Sequence, residues 1–145
     1  MVKVLPHIMR NINEFNIPAG NEYGYEILYF GVNLILMFEY KLSFSIKVRE
    51  SAFDDSNNTI DVLILSRKDV LSWKKGSNVS NMDIELHYSN NGENINDIFR
   101  PSISDAYAFI LSNRINNKLT TKAVDVTLIH SWKQEIKESH PKNIP

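Results

Sequence analysis

Apolar side chains occupy every even-numbered position from Leu28 to Val48, an unbroken alternation over 21 residues. A period of two is the repeat of a β-strand, in which every second side chain points to the same face of the sheet. The odd-numbered positions are apolar at first and become polar from Glu39 onward. We therefore predict that this segment is the spine of an antiparallel sheet, buried on both faces in its first half and on one face in its second half.

A straight strand of this length would span about 70 Å, which is too long for a small domain. The segment must therefore bend or break. We predict a bent strand with its kink near Gly31, and a break at residues 39–41 is the alternative. A two-residue hairpin would shift the in/out alternation, whereas a bulge or a three-residue loop would keep it, and no shift occurs.

Two other segments carry apolar residues at helical spacing. Residues 5–15 begin near a proline and present one apolar side, so they are predicted to form a short N-terminal helix. Residues 103–117 have Ser102 and Asp105 at their start, whose spacing is typical of a capping box, and are predicted to form a second helix. Residues 123–130 are rich in β-branched side chains and are predicted to form a strand, with a short helix starting at Trp132.

These elements together predict an α+β fold in a single domain spanning residues 1–145. Its bent, mainly antiparallel sheet would contain about 5–7 strands and would be packed by the two helices. The long strand or strands would lie within residues 25–49. The polar residues 140–145 include two prolines and are predicted to be a frayed tail.

Composition narrows the classes of function. The chain of 145 residues has no cysteine, which excludes disulfides, thiolate metal sites and cysteine nucleophiles and favours the cytoplasm. A formal net charge of −1 gives no long-range attraction to phosphate, so neither a nucleic-acid nor a membrane partner is expected. The five glycines do not follow the spacing of a nucleotide-binding loop, and no serine-nucleophile motif occurs, so no cofactor is expected.

A short stretch at residues 67–75 combines cations with an aromatic side chain. The cations are Arg67, Lys68, Lys74 and Lys75. Trp73 beside them is typical of a protein-binding hot spot, although a tryptophan in such a place is more often in the core, with the lysines along an exposed edge. In the polar loop at residues 51–59, Asp54 and Asp55 place negative charge that suits a basic partner, and a solvated loop is the simpler explanation.

Asp83, Glu85 and His87 alternate along a predicted strand and would therefore share one face. Two carboxylates and an imidazole can hold a divalent metal ion or act as acid and base. A solvated outer face of a strand is the commoner cause of such a pattern. The three residues are weak candidates for a metal site.

The absence of a stronger motif favours a non-catalytic protein. The predicted function is a small protein-binding module, of the inhibitor or toxin-immunity type, that acts on a toxin or host enzyme through charged loops. A structural subunit of a phage-like or other assembly, bound to an assembly neighbour, is the alternative. A small metal-dependent enzyme that uses Asp83, Glu85 and His87 is the second alternative. A bacterial or phage source is expected, and the sequence leaves the oligomeric state open.

Overall fold

The computed structural model describes residues 2–20, 22–49, 60–76, 84–88, 94–114 and 121–137, and within 84–88 it describes the side chain of Glu85 alone. These residues form eight strands and one short helix. The strands are β1 (Val2–Ile17), β2 (Tyr25–Val32), β3 (Phe38–Arg49), β4 (Asp61–Ser66), β5 (Ile84–Tyr88), β6 (Asn94–Phe99), β7 (Asp105–Ser112) and β8 (Lys122–Lys137). A 3-10 turn (Arg67–Asp69) leads into α1 (Val70–Lys74).

The strands form two antiparallel four-stranded sheets that face each other. The first sheet has the order β1-β8-β3-β6 and the second has the order β2-β7-β4-β5. Alternate side chains of both sheets meet in the main core, as expected for two sheets packed face to face. This core includes Leu42, Phe44, Ile46, Val62, Ile64, Tyr107, Phe109, Val124, Val126 and Leu128.

A smaller core lies on the outer face of the second sheet, where α1 covers it. It consists of Leu63, Leu65, Val70, Trp73, Ala108 and Ile110. As a result the two central strands of this sheet, β4 and β7, are buried on both faces along most of their length. This double burial explains why their sequences are continuous apolar runs rather than alternating ones.

The alternation from Leu28 to Val48 belongs to two strands and not to one bent strand. Residues 33–37 form a turn between β2 of the second sheet and β3 of the first. Because the two strands lie in opposite sheets, their even-numbered side chains meet the same core from both sides. The predicted kink at Gly31 is wrong, since Gly31 lies within β2, and the alternative break at residues 39–41 is a bulge in β3.

Both predicted helices are wrong. Residues 5–15 lie within β1, and residues 105–112 of the segment 103–117 form β7. A spacing of four is a multiple of two, so Ile8 and Ile12 share a face of a strand as they would share a face of a helix. In β7, burial on both faces removes the polar positions that distinguish a strand from a helix.

The predicted strand at residues 123–130 is confirmed as part of β8, whereas the helix expected from Trp132 is wrong because β8 continues to Lys137. The antiparallel sheet is thus confirmed, and the fold is mainly β with one short helix. Among the residues described, no helix is long and apolar enough to cross a membrane. The tail at residues 140–145 lies outside the described residues, and the single domain stays a prediction.

Candidate functional site

Two of the cations predicted from the sequence, Lys74 and Lys75, lie at the end of α1 beside Trp73, together with an arginine that follows β7. The Arg114 guanidinium lies 4.5 Å from the centre of the Trp73 ring. It also donates hydrogen bonds to the carbonyl oxygens of Trp73 and Lys74, both at 3.0 Å. Carbonyl groups in the last turn of a helix lack helical partners and carry partial negative charge, so Arg114 satisfies them and is held in place.

Trp73 acts as the support of this arrangement. Its side chain is only 7% exposed and belongs to the smaller core, the structural role that the sequence left open. The rings of Tyr25 and Trp73 pack edge to face, with their centres 5.3 Å apart and their planes at 82°. The Lys74 ammonium lies 5.6 Å from the centre of the Tyr25 ring, and the Arg114 guanidinium lies 5.9 Å from it. Aromatic faces attract cations at such distances, so the rings orient both charges.

The chain turns sharply after α1. Gly76 has a φ of 79°, in the left-handed region, and its N–H donates to the Trp73 carbonyl at 3.0 Å. Glycine is favoured at this position because a side chain strains the backbone there. The turn leaves Lys75 exposed next to Lys74.

The loop between β1 and β2 forms the opposite wall. The Gly24 N–H donates to the Gly20 carbonyl at 3.0 Å, and the Gly24 carbonyl accepts from the Asn113 N–H at 2.6 Å. The Asn113 side chain donates to the Ile17 carbonyl at 3.0 Å and so connects the ends of the two sheets. A side-chain carbon at Gly24 would collide with the Gly20 carbonyl oxygen. These contacts fix the loop that carries Tyr23, which is 75% exposed.

Together these elements enclose an open groove of about 520 Å³. We call it the basic-aromatic groove, and it is lined by Glu22, Tyr23, Tyr25, Lys74, Lys75, Gly76 and Arg114. Three cations face one carboxylate. Within the described part of the chain, neither lysine nor the arginine forms an ion pair. The groove therefore carries uncompensated positive charge next to aromatic surface, which suits carboxylates of a binding partner.

The other predicted cations extend this surface along β2. The Arg67 guanidinium lies 4.9 Å from the centre of the Tyr29 ring, and Tyr29 is half exposed. Tyr25 and Tyr29 are four residues apart on a strand, so they share its outer face about 13 Å apart. Lys68 follows in the 3-10 turn and is exposed. The structure thus brings the cations of residues 67–75 to one side of the second sheet.

None of the acidic candidates is found at this site among the described residues. Asp54, Asp55 and Asp83 lie outside the described part of the chain. Glu85 is exposed on β5, and His87 lies on the same strand with its side chain outside the description. No cluster of three potential metal ligands occurs among the described residues. The metal site at Asp83, Glu85 and His87 stays a prediction.

Three members of the site were not predicted from the sequence, namely Arg114, Tyr25 and the exposed Tyr23. Arg114 is 40 residues from Lys74 in the chain, and only the pairing of β7 with β4 brings it to the end of α1. The sequence around it was interpreted as a helix, which gave its side chain no specific neighbour. To place Arg114 at this site from the sequence, β7 had to be recognised as a strand buried on both faces.

A second groove, near 450 Å³, opens at the other end of the first sheet between β1, β3 and β8. It also contains cations, but Lys133 is paired with Glu39 at 2.9 Å. His7 stacks on Trp132 at its floor, with ring centres 5.5 Å apart. This groove therefore combines a partly compensated charge with an aromatic floor.

A buried polar pair lies beneath that groove. The Tyr40 hydroxyl and His130 Nδ1 are 2.6 Å apart inside the core. Burial raises the pKa of the Tyr40 phenol above its ordinary value, and burial lowers the pKa of the His130 imidazole below its ordinary value. Both groups are therefore neutral at pH 7, and their hydrogen bond satisfies two polar atoms that the core would otherwise isolate.

No protein-family model and no curated protein matches this chain. Among solved structures, the chain is similar to the crystal structure of Aeromonas hydrophila PliG, a periplasmic lysozyme inhibitor of g-type lysozyme. The TM-score is 0.38 at 11% sequence identity, over 88% of this chain and 87% of that chain. PliG is of the inhibitor class that the sequence predicts, but a similarity of this size assigns neither partner nor binding residues to this chain.

The cytoplasmic location predicted from the lack of cysteine is contradicted by this similarity, because PliG is periplasmic. We therefore withdraw that prediction, and no other compartment is assigned in its place. A bacterial or phage source stays a prediction.

Proposed function

We propose that the protein is a non-catalytic, inhibitor-type protein-binding module, and that its basic-aromatic groove binds a carboxylate-rich surface of another protein. The observation that carries the proposal is the fixed, uncompensated Arg114. Its guanidinium is stacked on Trp73 and bonded to two carbonyl oxygens, yet it forms no ion pair with the described residues. A charge positioned in this way is available to a partner.

The residue types of the groove support a protein partner. Tyrosine and arginine, which both line the groove, are among the residues most enriched at the energetic centres of protein interfaces. The Tyr25 ring and the Arg114 side chain are already held by contacts within the fold, so their ordering would cost a complex little binding energy. Lys74 and Lys75 at the rim would accelerate association with an acidic surface, and glutamates in their place would repel it.

An enzyme with carboxylates in its active-site cleft is the partner class that this chemistry fits best. Insertion of a cation between such carboxylates would neutralise them and exclude substrate. The toxin or host enzyme predicted from the sequence falls within this class. The basic-aromatic groove gives the assembly alternative no specific support, because its charges are mostly of one sign and do not suit a second copy of the same groove.

The test compares two charge-reversal variants of equal net charge. Lys74→Glu/Lys75→Glu changes the groove, and Lys41→Glu/Lys47→Glu changes the outer face of the first sheet as a matched control. Both variants and the wild type are immobilised and used to capture proteins from the native host. We expect the wild type and the control to retain the same stoichiometric partner, and the groove variant to lose it.

Retention of that partner by the groove variant, at wild-type affinity, would contradict the proposal. The salt dependence gives an independent check on the same complex. Because the contact is between a cationic groove and carboxylates, the association rate should fall as the ionic strength rises. An association rate that does not change with salt would also count against it.

A further inference from the structure

The free edge of β1 is the longest unpaired strand edge in the described part of the molecule. β1 pairs with β8 along all of Val2–Ile17 without a bulge, and no described strand lies on its other side. The strands at the other three edges, β2, β5 and β6, have 8, 5 and 6 residues, against 16 in β1. A long, regular edge strand can pair with another chain, because its outward N–H and C=O groups lack partners.

Pro6 shows which residues direct their peptide groups to this free edge. Proline has no N–H, so within a sheet it is placed where its nitrogen faces away from the neighbouring strand. Peptide groups alternate between the two sides along a strand. The even-numbered residues of β1 therefore present their N–H and C=O groups to the free edge.

The side chains of the same residues are exposed on the outer face of the first sheet. Ile8 is 74% exposed and Ile12 is 67% exposed, and Val2 and Val4 on the same face are about half exposed, so the strand presents a row of apolar side chains. Arg10 and Glu14 flank Ile12, and neither forms an ion pair with a described residue. Glu14 also lies opposite Asp125 in the register with β8, so its nearest cross-strand neighbour has the same charge.

We propose that β1 pairs antiparallel with β1 of a second copy of this chain, about a two-fold axis at Ile12. The two copies would then share one continuous eight-stranded sheet. In this register Ile12 faces Ile12 of the second copy, and Arg10 of each copy faces Glu14 of the other. On the opposite face of the sheet, Met9 of each copy meets Phe15 of the other.

The register is selected by the sequence of the strand. A two-fold axis at Arg10 or at Glu14 would place like charges opposite each other, and an axis at Asn11 would oppose Ile8 to Glu14. The axis at Ile12 avoids these conflicts. It also places Arg10 of the second copy next to Glu14, whose neighbour on β8 is the like-charged Asp125. It uses His7–Ile17 of both copies, so Pro6 lies just outside the paired segment. About ten hydrogen bonds would join the copies, two for each pair of outward-facing residues.

A second copy fits this edge better than an unrelated strand because the complementarity is with the strand itself. A two-fold contact of this kind closes on itself and gives a dimer and not a polymer. The free edge of β1 and the basic-aromatic groove lie on different sheets. The dimer is therefore independent of the proposed function, and either can fail without the other.

The first test uses proline as a probe of the free edge. Ile12→Pro removes one outward-facing N–H from the middle of the paired segment and leaves the bonds to β8 intact. Val4→Pro makes the same change on the same edge, outside the segment. By size-exclusion chromatography with light scattering, we expect the wild type and Val4→Pro to be dimers and Ile12→Pro to be a monomer, all with the same circular dichroism spectrum.

The second test uses charge exchange and does not depend on proline. Arg10→Glu alone and Glu14→Arg alone would each bring like charges together twice across the axis. We expect each to raise the dimer dissociation constant about tenfold or more. The double variant Arg10→Glu/Glu14→Arg restores both opposite-charge pairs and should return the dissociation constant to within about threefold of the wild type.

A wild-type chain that remains monomeric at high concentration would overturn the proposal, as would a larger polymer. A dimer that survives Ile12→Pro as well as it survives Val4→Pro would place the interface elsewhere. Failure of the double variant to restore the dimer would overturn the Ile12 register.

Discussion

The outer faces of the two sheets differ in what covers them. On the second sheet, α1 packs against the central strands, and its end carries the basic-aromatic groove. The outward side chains there are Leu63, Leu65, Ala108 and Ile110. On the first sheet no described element covers the centre, where the outward side chains are Ser43, Ser45, Thr127 and Ile129. The same architecture thus yields one face with a rigid, helix-supported site and one open face bordered by a free strand edge.

This difference follows from the residues at alternate positions. Small polar side chains in β3 and β8 remain hydrated without a cover, whereas the apolar ones in β4 and β7 require one. The cover also orders the charges at its end, since Trp73 both fills the smaller core and supports Arg114. The candidate binding site thus lies where the apolar outer face of the second sheet requires a covering helix.

The largest effect is expected from removal of the tryptophan that joins the helix to its sheet. Trp73→Ala should lower the free energy of unfolding by about 3–5 kcal/mol, because it leaves a cavity in a buried cluster. Ile98→Ala on the uncovered face should cost no more than about 1 kcal/mol. Urea denaturation of both variants measures this difference. Equal losses of unfolding free energy would show that the packing of α1 does not make the second sheet differ from the first.

A smaller effect is expected from Arg114→Lys, which keeps the charge and loses the planar group. The lysine cannot reproduce two hydrogen bonds and the stacking on Trp73, so we expect a loss of about 1 kcal/mol in unfolding free energy. Arg100→Lys provides the control, since Arg100 is exposed at the end of β6 and makes no hydrogen bond with the described residues. Thermal unfolding followed by calorimetry distinguishes them. A control as destabilised as the groove variant would contradict the role given to Arg114.

The turn after α1 should be less tolerant than the edge of β2. Gly76→Ala forces a side chain onto a φ of 79° and should cost about 1 kcal/mol. Gly31→Ala meets open space at an extended position in β2 and should be neutral or slightly stabilising. The two midpoints of chemical denaturation report the difference. A neutral Gly76→Ala would mean that the turn does not hold the end of the helix.

The smallest effect is the pH dependence of His130, which lies on the inner face of the first sheet and affects stability only in mild acid. Burial lowers the pKa of His130 in the folded protein, so the unfolded chain binds the proton more readily. Its contribution to stability is therefore fully present above the ordinary histidine pKa of about 6.5 and is lost as the pH falls below that value. Denaturation between pH 7 and pH 5 should show this decline in the wild type and a weaker decline in His130→Leu. Equal slopes would assign the pH dependence to other groups.

The sequence predicted the antiparallel strands because alternation is a local property of the chain. The even-numbered residues from Leu28 to Val48 were correctly predicted to face one shared core. No local pattern showed that the two halves of this segment lie in opposite sheets. Helices were predicted wrongly where periods of two and four coincide, as in β1, or where both faces are buried, as in β7. The cations of residues 67–75 are close in sequence and were found, whereas Arg114 depends on long-range pairing and was missed.

Hydrogen–deuterium exchange of the captured complex shows directly whether the partner binds at the basic-aromatic groove. Amide exchange is measured in the protein alone and in the complex, and the protection by the partner is compared between the outer faces of the two sheets. We expect the partner to slow exchange at residues 22–25, at 70–76 and around Arg114, with little change along the outer face of β3 and β8. Protection confined to the first sheet, with unchanged exchange at the end of α1, would contradict the assignment of the basic-aromatic groove as the binding site.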